Sequence, residues 1–172
     1  MRRVPSPATS NARENCGVWD RLRKQAALEQ EELHRLLEIH RPLLDRCEVT
    51  PPDAIELSAL AAMLHAFYTG IENILKRIAI EVDGRAPSGE VWHRELLQAM
   101  TKPNESRREA ISQALRERLQ EYLEFRHVFR HAYTFELRWE KMRRLVLDCQ
   151  ETLVRFEAEL QAFLRTGPSA SL

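Results

Sequence analysis

The chain has 172 residues, a length that fits one domain with a genuine core and needs no disulfide or metal staples. Its 26 Lys and Arg balance 26 Asp and Glu, so the formal charge is zero and a dedicated duplex-DNA binder is disfavoured. Only five glycines, strong use of Leu, Ala, Glu, Arg and Gln, and no run of alternating β-branched residues exclude a sheet protein and predict an all-α fold.

Residues 1–17 carry Pro, Ser, Asn and Arg without periodic apolar positions and read as a disordered tail. The opening Met-Arg-Arg has no apolar stretch behind it, and no later segment approaches the roughly 20 apolar residues of a membrane span. A soluble cytoplasmic chain is therefore expected, away from any membrane. Cys16, Cys47 and Cys149 are widely spaced and odd in number, so they suggest neither a zinc ribbon nor a disulfide framework.

From Trp19 to Cys47, Leu22, Ala26, Leu33, Leu36, Leu37, Leu43 and Leu44 recur at helical spacing, with Pro42 a point of bending. Thr50-Pro51-Pro52-Asp53 reads as the next helix start, with Thr50 as cap and Asp53 favouring the positive helix end. The second helix, running to Asp83-Gly84, holds Ile55, Leu57, Leu60, Leu64, Phe67, Ile71, Ile74, Leu75, Ile78 and Ile80 and is apolar enough to be central. His65, Tyr68 and Glu72 share one of its faces, near Asn73 and Lys76, and read as interhelical hydrogen-bonding groups. A short helix over Glu90–Met100 follows, containing Trp92-His93, then a fourth from Asn104 or Ser106 to Tyr133. A fifth covers Leu137–Arg165, with a seam of Leu145, Cys149, Leu153, Phe156, Leu160 and Phe163. The fold expected is an antiparallel bundle of four long helices and one short one over residues 18–166, with 167–172 a second disordered tail.

The fourth helix breaks its own rule. Leu115, Leu119, Tyr122, Phe129 and Tyr133 form an apolar seam, and the position completing it is Arg126, a cation that must be paired or must face a cavity or partner. His127, Arg130 and His131 crowd the same turn and a half. Five residues of helix put Arg126 and His131 about 140° apart, so their convergence needs a bend near Tyr133-Thr134 or a second copy of the chain, the latter preferred. From Arg126 to Arg144 six basic residues face two glutamates, a local excess able to attract a phosphate backbone or simply to form a solvated face. The chain has no Walker loop, no HExxH and no nucleophile elbow, and Glu31 with His34 gives only a lone Glu-x-x-His.

Arg126-x4-His131-Ala132-Tyr133 resembles the R-x4-H-x-Y signature of HepT-like toxins in the HEPN superfamily of helical-bundle ribonucleases. The segments Phe67-Tyr-Thr-Gly-Ile-Glu-Asn-Ile-Leu-Lys-Arg77 and Trp92-His-Arg-Glu-Leu-Leu97 are similar to one HepT-like branch, and the likeness spans about residues 20–165. The Asn usual after the motif arginine is His127 here. The resemblance implies a HEPN-like bundle acting as a homodimeric, metal-independent endoribonuclease on tRNA or mRNA, without a cofactor. His131 would transfer protons, Arg126 would bind phosphate, and His127 and Arg130 would support them. Tyr68, Glu72 and His93 are possible cleft-lining groups, although for His93 a place at a helix surface is preferred. Tyr133 would be the residue that a minimal nucleotidyltransferase antitoxin AMPylates, in a type VII-like toxin–antitoxin pair. The competing reading is a non-catalytic HEPN interaction module that scaffolds such a partner.

Overall fold

The computed structural model describes residues 7–131 and 136–168, with side chains from Asn15 onward. It consists of α1 (Pro7–Cys47), α2 (Ala54–Glu81), α3 (Trp92–Met100), α4 (Gln113–Phe129) and α5 (Trp139–Leu164), with no strand among the described residues. Four long helices and one short one are what the apolar periodicity predicts. α1 starts at Pro7 instead of near Trp19, so helix occupies part of the segment read as a tail. Proline is well suited to a first helical turn, where its missing N–H has no partner to lose.

α2 is the axis of the bundle, packing against α1, α3, α4 and α5. Its Leu60, Ala61, Leu64, Phe67, Ile71, Ile74, Leu75 and Ile78 are buried, while the expected core residues Ile55 and Ile80 face outward. By length and composition α2 is also apolar enough to cross a membrane, with a window of mean hydropathy 1.3, which the expectation of no such segment overlooked. The face that α2 turns to the other four helices accounts for much of that composition, and 44% of the window is buried.

The start of α2 lies later than expected. Asp53, not Thr50, is the N-cap; its carboxylate accepts from the amides of Ile55 and Glu56, each at 2.9 Å, and Glu56 accepts in return from the Asp53 amide at 2.9 Å. The prolines explain the delay, because residues preceding a proline are pushed away from helical dihedrals, so the helix begins only after Pro52. The helix ends near the glycine anticipated, Gly84 taking a φ of +76°.

α4 starts at Gln113 instead of at Asn104 or Ser106. Asn104 does accept from the amides of Ser106 and Arg107, but this closes a local turn inside the α3–α4 connection. Ala110 and Ile111 then bury themselves and donate their amides to the Met100 carbonyl, holding the chain non-helical until Ser112. The Ser112 hydroxyl caps Leu115 while Glu159 of α5 accepts from the Ser112 amide and hydroxyl, at 2.6 and 2.7 Å. At the same end of α5 Arg23 of α1 donates to the carbonyls of Leu164, Gly167 and Pro168, supplying the helix end and the residues after it with partners they would lack. The α5 seam is buried at every position expected.

Candidate functional site

Arg126 completes the α4 seam from inside the bundle. Its Nη1 donates to Oε2 of Glu72 at 3.0 Å, and the guanidinium lies 6.0 Å from the centre of the Tyr68 ring. Glu72 is buried on the apolar stripe of α2, four residues on from Tyr68. The two charges that interrupt the two seams are therefore partners. This is how each is tolerated: a carboxylate and a guanidinium desolvated together cost far less than either alone.

The other carboxylate oxygen of Glu72 meets His93 of α3, whose Nδ1 lies 2.5 Å from Oε1. His93 is not at a free helix surface, as the preferred reading had it; it is 9 % exposed and wedged between α2 and α4. Trp92 stacks against its ring at 3.7 Å, and His127 approaches it edge-on at 6.3 Å. Lys76 of α2 covers the Trp92 ring at 4.9 Å. Glu72 thus acts as a hub, one oxygen for Arg126 and the other for His93.

Tyr68 lies fully buried beneath this hub and does not line an open wall. Its hydroxyl has no hydrogen-bond partner among the described residues, and burial, reinforced by the nearby Glu72 charge, pushes the phenol well above its usual range. His65, one turn earlier on α2, packs its ring on Phe129 at 5.5 Å. Burial first, then the charges of Arg126 and Arg130, hold its imidazole below the ordinary value, against an opposing pull from Glu72.

α4 ends at Phe129 with Arg130 as its C-cap, earlier than the expected Tyr133. The amide of His131 turns back to the Val128 carbonyl at 3.1 Å, so His131 lies beyond the last helical turn. The angular separation expected of a continuous helix no longer governs Arg126 and His131. Cationic groups in a last turn interact favourably with the exposed carbonyls there, which suits Arg126, His127 and Arg130. His127, Arg130 and His131 are all exposed. Tyr133, like the bend expected at Tyr133-Thr134, lies outside the described residues.

The basic run beyond the site is mixed. Arg138, Lys141, Arg143 and Arg144 are all exposed, and Arg144 also forms ion pairs with Glu121 at 3.4 Å and Asp148 at 3.5 Å. Among the described residues no group of three or more His, Cys, Asp or Glu side chains comes together to hold a metal ion, and the three cysteines are free.

What the sequence reading missed is the linkage, not the residues. Glu72 does form the interhelical hydrogen bonds expected of it, and it does so from the apolar stripe of α2, between Ile71 and Leu75. An acid interrupting one seam and a base interrupting another was the available signal. A family model described as HepT-like protein matches residues 59–167, the span from early α2 to the end of α5 that carries Glu72, His93, Arg126 and His131. No curated protein and no solved structure matches the chain. With well over half of its length matched, the chain belongs to the HepT-like family.

Proposed function

We propose that the chain is a metal-independent endoribonuclease toxin. The observation that carries this reading is Arg126: anchored through Nη1 to a buried carboxylate, it has no partner at Nη2 among the described residues, and its side chain keeps 14 % of its surface exposed. A guanidinium fixed at one corner and open at another is suited to bind a phosphate without reorganising. The exposed His127, Arg130 and His131 follow within the next turn and a half.

In the reaction proposed, the ribose 2′-oxygen attacks the adjacent phosphorus, the bond to the 5′-oxygen breaks, and a 2′,3′-cyclic phosphate and a 5′-hydroxyl result. Arg126 neutralises charge on the non-bridging oxygens, and His131 protonates the leaving oxygen. The need for a 2′-hydroxyl makes RNA the substrate, whether tRNA or mRNA. Two copies of the chain would face each other so that the motifs line one cleft. In the cytoplasm a minimal nucleotidyltransferase would restrain the activity by attaching AMP to Tyr133, putting negative charge where the RNA phosphate must sit.

The experiment is cleavage of end-labelled RNA in EDTA, with the oligomeric state measured alongside. Cutting should persist in chelator and disappear in both Arg126→Ala and His131→Ala, and the products should carry 2′,3′-cyclic phosphate ends. Co-expression with a nucleotidyltransferase should add one AMP mass at Tyr133 and restore growth. A second reading has an observation of its own: the Arg126 side chain is only 14 % exposed and ion-paired, as expected of a structural lock in a non-catalytic module. Intact RNA at every protein concentration, with a stable complex between the chain and the nucleotidyltransferase, would establish that reading instead.

A further inference from the structure

His93 lies outside the Arg-x4-His motif, yet the structure holds it more firmly than any other histidine of the site. Its Nδ1 has two neighbours, Oε1 of Glu72 at 2.5 Å and Nη1 of Arg126 at 3.2 Å. One nitrogen cannot serve both. A bare lone pair would repel a carboxylate oxygen at 2.5 Å, so the proton sits on Nδ1 and is donated to Glu72, and the guanidinium is a neighbour instead of a donor to it. In the neutral ring this leaves the lone pair on Nε2. No described residue bonds to Nε2, and the side chain keeps 11 % of its surface exposed. A carboxylate behind Nδ1 and an open Nε2 in front is the arrangement that makes an imidazole a directed base.

We infer that His93 is a catalytic residue of the nuclease site, taking the proton of the ribose 2′-hydroxyl on Nε2, and that Glu72 is its positioning residue. This rests on the nuclease reading above. Arg126 shares the Glu72 carboxylate, so the phosphate-binding group and the base are set by one buried anion. As the bond from O2′ to phosphorus forms, its proton passes to Nε2; as the bond from phosphorus to O5′ breaks, O5′ takes a proton from the His131 imidazolium. His93 then returns its proton to water and His131 regains one, so no further reactant is needed. The groups facing His93 are Glu72 and, over Trp92, Lys76 from α2, with Arg126 and His127 from α4.

His93→Asn is the deciding variant, because the Asn amide nitrogen replaces Nδ1 and keeps the donor to Glu72 while Nε2 is deleted. Initial rates on the labelled RNA in EDTA, across pH, should show kcat lower by about 100-fold or more, with KM little changed and the acid limb of the profile gone. Glu72→Gln should retain the ring position but remove the charge behind it, giving a pH profile different from that of the wild type. Nitrogen-15 spectra of the wild-type histidines should show one imidazole, absent from the His93→Asn spectrum, protonated at Nδ1 and bare at Nε2. If the wild type leaves RNA intact, the nuclease reading falls and this inference with it. If the wild type cuts while folded His93→Asn cuts at the same rate and with the same pH profile, or if the spectrum shows the proton on Nε2, only the role of His93 is lost.

Discussion

His65 is the histidine on α2 whose ring is pressed against Phe129 at the end of α4, and its Nδ1 is enclosed with no partner. Its pKa is held below the ordinary 6.5 by burial and by the charges of Arg126 and Arg130. In the window between that lowered value and 6.5, the unfolded chain binds a proton that the folded chain does not, so stability rises with pH there. The contribution is complete above pH 6.5 and shrinks as pH falls through the window. Denaturant unfolding of wild type and His65→Leu should therefore give curves that diverge in slope below pH 6.5 and run parallel above it; parallel lines throughout would remove the desolvated imidazole from the account. Arg126 was legible in the sequence because a permanent cation at a seam position must have a partner or an opening to face. His65 and His93 were not, since imidazole is compatible with both surface and core, and only the neighbours supplied by other helices decide which.

Helices with a strong apolar stripe were legible as helices, and their ends were not. The α5 seam from Leu145 to Phe163 follows from spacing alone, because burial against α1, α2 and α4 is the only way to satisfy it. The ends depend on which polar side chain wins a particular amide. At α2 the two prolines hand that role to Asp53, whose carboxylate satisfies two amides while Glu56 satisfies a third. Glu56 is further tied to Arg46 at the end of α1, so the box also fixes the corner between the two helices. Asp53→Ala should lower stability by about 1 kcal/mol, and Asp53→Ser, which keeps an acceptor, by only a fraction of that. For a chain of this length the Ala variant corresponds to a melting point lower by roughly 3 °C. Because α2 touches every other helix, the change should appear as a shift of one cooperative transition, without a separate early phase. An equal loss in the Ser and Ala variants would count against the cap.

The bundle is closed on one side by two loops that a single side chain joins. Arg107, in the α3–α4 connection, has a side chain only 1 % exposed and uses all five of its N–H donors. Nε and Nη2 fork onto the Asp83 carboxylate at 2.8 Å each, and Nη1 and Nη2 reach the carbonyls of Lys102, Arg108 and Ala99. Asn104 adds a third donor to Asp83 at 2.9 Å. Nothing in the sequence announces this: Arg107 stands in a run of charges that reads as solvated, and Asp83 beside Gly84 reads as an ordinary turn residue. The pair matters for the site because α3, which carries His93, hangs between the two loops. The two halves of the pair are unequal. Asp83 is 15 % exposed and can regain water if the guanidinium is lost, whereas a buried guanidinium left without its carboxylate cannot. Asp83→Ala should therefore be the more damaging change, about 3–5 kcal/mol, with Arg107→Met smaller at roughly 2 kcal/mol from the carbonyls it abandons. The double variant should be less destabilised than the sum of the singles by more than about 1 kcal/mol, since the stranded charge is no longer present. Urea unfolding of all four proteins measures each term. Strict additivity would mean that the two side chains act separately and that the loops are held by something other than this ion pair.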